Sequence, residues 1–200
     1  MLPIGDVEED ELFLTGFDQS SALATLAPAI SRAERLLLFT KIIMAKPIEY
    51  GIEKLAANQA RYLAQELANL IDTVHNQGLS FDRLTDLVPE EYAVHWQETL
   101  KFLQIITEYW PQILAERQLI DASDRRNRLL RAQIDLWRQN PPVKRIVAAG
   151  TTAAFPLMKE LVKTVLSLEK GELYLAGIDK FLEDEAWEKI DKVWTLCKRM

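Results

Sequence analysis

Between Asp121 and Arg145 the chain carries Arg125, Arg126, Arg128, Arg131, Arg138, Lys144 and Arg145 against Asp121, Asp124 and Asp135. That is a local surplus of +4 in a chain whose net charge is −6. Guanidinium groups grip phosphate oxygens through a planar fork of donors, so this is where the sequence could touch a nucleic-acid backbone. Arg128, Arg131 and Arg138 fall roughly on one helical face. The candidate DNA contacts are therefore Arg125, Arg126, Arg128, Arg131 and Arg138. The plainer reading is a solvated row of arginines paired with neighbouring acids, a common pattern on exposed helices. The acidic balance also argues against a free-standing, non-specific nucleic-acid binder, which needs a cationic face.

A second candidate is the stretch "IVAAGTTAAFP", Ile146 to Pro156, where a short apolar run meets a Gly-Thr-Thr turn ahead of a helix. An anion could be cradled there by free backbone N–H groups. The turn has one glycine, Gly150, and lacks the second glycine and the lysine of a phosphate loop; a dinucleotide fingerprint is absent as well. A structural turn is the better reading. Asp179, just past "LAGI", stands where an α/β enzyme can hold a metal-binding carboxylate, but with no phosphate loop beside it a turn or helix cap fits better. The acidic cluster Asp6, Glu8, Glu9, Asp10 and Glu11 has no calcium-loop spacing and reads as a solvated turn. His75 and His95 are isolated on helices, with no catalytic partner in sequence view. No catalytic, cofactor-binding or metal-ligating residue is assigned.

The elements that must position these groups follow from punctuation and period. Residues 1–30 read as an irregular acidic segment. "SRAE" at Ser31 is a capping box, with the Ser31 hydroxyl accepting from a free N–H and Glu34 reaching back. The apolar run that follows, Leu36, Leu37, Ile42 and Ile43, fits a helix ending before Pro47. A longer helix is expected from about Ile48 to Asn76. Its apolar face would be Ile52, Leu55, Tyr62, Leu63, Leu67, Leu70, Ile71 and Val74, and Gly78 would close it in the left-handed conformation. Pro89 and two glutamates open a third helix, which should kink or break near Tyr109–Trp110 because Pro111 falls inside its pattern. A fourth, Asp121 to about Gln139, would be capped by Asp121 or Ser123 and halted by Pro141-Pro142. The whole span from Ser31 to Asn140 thus reads as helical, with faces suited to a bundle.

After Pro142 the period changes. "RIVAA" and "ELYLAG" are short apolar runs without polar alternation, and between them Leu157, Leu161, Val165 and Leu168 keep helical spacing. This is a β-α-β unit, whose right-handed crossover makes the strands parallel. Parallel strands are normally buried on both faces and flanked by others, yet the chain offers few more, Leu12–Leu14 being one candidate. The expected organisation is an acidic segment (1–30), a helical subdomain (31–142), a partial α/β piece (143–192) and a divergent tail (193–200). The α/β piece looks like a slice of a broader sheet.

Two hundred residues suffice for a real core. The single Cys197 excludes an internal disulfide framework and fits a reducing compartment. No apolar run approaches the roughly 18 residues of a membrane span, and the acidic start does not read as a signal peptide. A cytoplasmic protein with no membrane association is expected.

The order of these pieces resembles the double-strand break repair family AddB in its alphaproteobacterial form. The matching blocks are "IGDVEEDEL", "LAPAISRAERLLL", "LAQELANLID", "LVPEEYAVHWQETLKFLQIITEYWPQILAERQLID", "RRNRLLRAQIDLW", "NPP", "VAAGTTAAFP" and "LAGID". The long "VPEEYAVHWQ…WPQILAER" block is the specific one, and the blocks span nearly all of residues 3–191. The resemblance implies an internal stretch of a much longer subunit that joins a second helicase-nuclease subunit, AddA, to process broken DNA ends for recombination. It implies a helical subdomain followed by return into a RecA-like, superfamily 1 helicase-like core: mostly α, with a small α/β part. The family's ATP, magnesium and iron–sulfur cluster would be bound outside this segment, so the chain should be inactive alone. "GTTAAF" is less glycine-rich than the family's turn, "LAGID" stands for a more usual "LPGLD", and "KVWTLCKRM" departs from the family text. That ending reads as a lost reading frame or a truncated gene. A stand-alone helical scaffold that recruits a protein partner is the alternative.

Overall fold

The computed structural model describes residues 26–45, 55–81 and 93–175. Leu12–Leu14, the acidic cluster at 6–11, Asp179 and the tail lie outside the described residues. The described helices are α1 (Arg32–Ala45), α2 (Ala57–Gln77), α3 (Ala93–Gln104), α4 (Trp110–Arg117), α5 (Ala122–Gln139) and α6 (Pro156–Ser167), and the strands are β1 (Ile146–Ala149) and β2 (Gly171–Tyr174). The described part is mostly helical, with one small parallel sheet. The chain forms two compact units, Met1–Gln133 and Ile134–Met200.

In the first unit α1 begins as its sequence asks: the Ser31 hydroxyl accepts from the Glu34 N–H at 3.2 Å. The reciprocal half of the expected box does not form, because Glu34 instead holds Arg117 at 2.7 Å. The buried stripe of α1 is Arg35, Phe39 and Ile43, spaced by four. Of the expected apolar run, Ile43 is buried and Leu36 and Ile42 pack partly buried against the core, while Leu37 is 54% exposed. Helix α2 starts at Ala57, after the non-helical Leu55 and Ala56, not at Ile48. Gln59 accepts from the Ala56 N–H at 3.0 Å and so ties down the first turn. Its buried residues are Ala60, Ala64, Leu67, Ala68 and Ile71, whereas Tyr62 (67%) and Leu70 face outward. The small alanines let α1 lie close along α2. Gly78 closes α2 as expected, at φ +66°, with its N–H on the His75 carbonyl and that of Leu79 on Val74.

Pro111 has the predicted disruptive effect, in the form of a widened turn. Residues Ile105–Tyr109 adopt a π-helical turn between α3 and α4, and the Trp110 N–H reaches back five residues to the Ile105 carbonyl. Proline has no N–H for the carbonyl four residues earlier and its ring crowds that carbonyl; one wide turn makes room without ending the helix. Helix α4 then stops at Gln118, in the left-handed conformation at φ +55°. Leu119 and Ile120 are not helical, so the third helix is separated from the fourth, as the sequence reading that starts the fourth at Asp121 expects. Ile120 instead forms a parallel bridge with Ala29, donating to the Pro28 carbonyl while its own carbonyl accepts from Ile30. The core of this unit gathers Ile30, Phe39, Ile43, Leu67, Ile71, Ile105, Ile106 and Trp110.

The second unit contains the β-α-β arrangement expected from the sequence. β1 and β2 pair in parallel, in register Ile146↔Gly171 through Ala149↔Tyr174. Alternate residues point to opposite faces. Ala148 and Leu173 pack with Val162 and Val165 of α6. On the other face Val147 and Tyr174 are 47% and 55% exposed. Gly171 sits where the chain returns from α6: a Cβ there would lie 1.7 Å from the Val165 carbonyl oxygen.

Candidate functional site

The Gly-Thr-Thr turn is bound up with its own strands. The Gly150 N–H donates to the Tyr174 carbonyl at 3.1 Å, and Gly150 takes φ +68°. The Ala153 N–H donates to the Thr151 hydroxyl at 3.1 Å, closing a side-chain turn. Two of the N–H groups that a phosphate would have met are thus used to shape the loop that leads into α6.

The five candidate arginines do not converge on one point. Arg125 is buried, with its Nε donating to the Ala27 carbonyl at 3.0 Å. Arg126 donates to the Asn76 side chain. Arg128 grips Asp124 with two nitrogens, at 2.9 and 3.2 Å. Arg138 bridges to Glu160 at 3.0 Å, joining α5 to α6 inside the second unit. Arg131 is exposed and has no partner among the described residues. Position on α5 explains the pattern: its first turns dock on the C-terminal end of α2, where Asn127 also donates to the His75 carbonyl at 2.7 Å. Cationic and amide donors at a helix C-terminus meet its unpaired carbonyls and its partial negative charge.

A buried polar cluster that spacing alone does not reveal lies beside them. Arg35 of α1 donates to Asp72 at 2.9 Å and to the Ala68 carbonyl at 2.6 Å, both on α2. Its Nε stands 3.3 Å from Asp121 Oδ1, off the hydrogen-bonding direction. Asp121 Oδ2 accepts from Trp110 Nε1 at 2.7 Å. The expected N-cap residue therefore spends its carboxylate on α1 and α4, and Ser123, the other expected cap, is 2.9 Å from His75 Nδ1. Burial pushes the Asp121 carboxyl above its ordinary value, although Arg35, the Trp110 N–H and His75 all pull it down. Trp110 in turn packs on Phe39, ring centroids 4.3 Å apart. His95 lies on α3, and the side chain of His75 belongs to this cluster.

Next to the cluster is a cavity of about 460 Å³. Its walls are Ile71, Phe81, Ile106, Trp110 and Leu114, and His75, Asp121, Asp124 and Arg128 form its polar side. Among the described residues no group of three or more His, Cys, Asp or Glu side chains could hold a metal ion, and no helix is long and apolar enough to cross a membrane. The signal that could have located the site was Trp110: an indole placed beside a helix-interrupting proline needs a buried acceptor for its N–H. Comparison with protein-family models, with curated proteins and with solved structures finds no match for this chain.

Proposed function

We propose that this chain is a non-catalytic scaffold segment of an AddB-type subunit, in a helicase-nuclease that processes DNA double-strand breaks for recombination. Its work is to hold protein against protein. ATP hydrolysis and strand cleavage belong to parts outside it. The observation that carries this reading is the β-α-β piece. A two-stranded parallel sheet is covered by α6 on one face, while Val147 and Tyr174 stand open on the other among the described residues. Parallel sheets are stable with helices on both faces, so such a piece suits a larger sheet of the RecA-like kind. The order of the sequence blocks supplies the family.

The test is co-expression with an AddA-type subunit followed by size-exclusion chromatography. Co-elution in fixed ratio, with no ATP turnover by the chain alone, is the expected result; separate elution sinks the proposal. A second reading, a stand-alone helical scaffold, is favoured by arginines turned inward to join helices. It expects separate elution and a folded monomer.

A further inference from the structure

The cavity described above belongs to no part of the scaffold reading, and its chemistry selects a guest. At about 460 Å³ it falls within the range of small-molecule sites. Its walls are aromatic and aliphatic. They are held in place: Trp110 is fixed by Asp121 at one end and by Phe39 on its face, and Ile71 and Ile106 belong to the core. A cavity whose walls are already ordered asks little reorganisation of the protein when it fills.

The polar side decides the charge of the guest. Asp124 already takes two nitrogens of Arg128, and Asp121 faces Arg35. Each charge on the wall has its counter-charge within the chain. A cation or anion entering would give up its hydration with no unmatched partner to receive it. A neutral ring gives up little. His75 holds Ser123 through Nδ1, which leaves Nε2 for a single hydrogen bond to a guest. We propose that this cavity binds a small, flat, uncharged heteroaromatic molecule carrying one hydrogen-bonding N–H or ring nitrogen, through its apolar walls and His75.

Three probes of one shape and different charge test this on the full chain: indole, tryptamine and indole-3-propionate, followed by titration calorimetry and ligand-observed NMR. Indole should bind saturably at one site, at least about tenfold tighter than either charged analogue, since these lose hydration without compensation. Leu114→Trp fills the cavity and should abolish binding. Ala115→Trp narrows its exposed rim and should weaken binding, even if the first variant fails to fold. His75→Gln should weaken indole several-fold in protein whose NMR spectrum shows it folded. No saturable binding up to the solubility limit of indole would overturn the proposal. So would equal affinity for a charged analogue, or binding indifferent to both cavity variants.

Discussion

Arg35 is the residue on which the helical unit turns. It is buried, yet its guanidinium lies among two carboxylates and a carbonyl drawn from α2 and from the start of α5. Removing it strands the buried carboxylate of Asp121, while Asp72, 41% exposed, can turn to water. Arg35→Met should cost about 3–5 kcal/mol in urea unfolding, the usual penalty for breaking a buried pair from one side; a loss under about 1 kcal/mol would show that the cluster is solvated. Asp121 makes the opposite demonstration. Burial raises its folded pKa above the unfolded value of about 3.8, so between those two values the folded chain binds more protons than the unfolded one. Its contribution is then greatest below the unfolded pKa and is lost as pH rises through the folded one. Asp121→Asn removes that titration and keeps an oxygen for Trp110. The stability of the parent chain relative to this variant should therefore be higher at pH 4.5 than at pH 7. If the difference runs the other way, Arg35 outweighs burial.

Among the elements, the turn from α6 into β2 is tight. Gly171 passes so close to the Val165 carbonyl that any side chain must push the strand away from the helix. Gly171→Ala should destabilise the second unit by at least about 1–3 kcal/mol, the range for overpacking a close contact, read as a lower thermal midpoint with the α2 signals of an NMR spectrum unmoved. This β-α-β unit was legible because each of its signals is local: two unbroken apolar runs, a helical period between them, and glycine and proline as punctuation. The termination of α2 at Gly78 and the disturbance at Pro111 were legible for the same reason. What spacing missed depends on distance. Arg35 and Asp121 meet across most of the first unit, and no period links them. On α2 the expected stripe holds for Leu63, Leu67 and Ile71 but wrongly adds Tyr62 and Leu70, which hydrophobicity favours, and omits Ala60, Ala64 and Ala68, which close approach to α1 favours. Packing rewards small residues where backbones come near, and a hydropathy pattern alone cannot show where that is.

At the scale of the whole molecule the question is what an acidic chain with an arginine-rich helix can do to DNA. Each phosphate that a protein neutralises adds roughly 0.9 to the slope of log affinity against log salt. Of the five candidate arginines, Arg125, Arg126, Arg128 and Arg138 have donors committed to groups of the chain itself, and Arg131 alone projects without a partner among the described residues. The net charge of −6 opposes approach of a duplex at long range. Binding to linear duplex DNA by the isolated chain should accordingly be weak, with a slope no steeper than about −2. Arg131→Ala should lower even that by about one, while Arg126→Ala should act on stability and leave the slope alone. A slope near −5 would mean that α5 frees its arginines when DNA arrives. In that case the internal pairs are a resting arrangement, and the scaffold reading gives way to a DNA-contacting one.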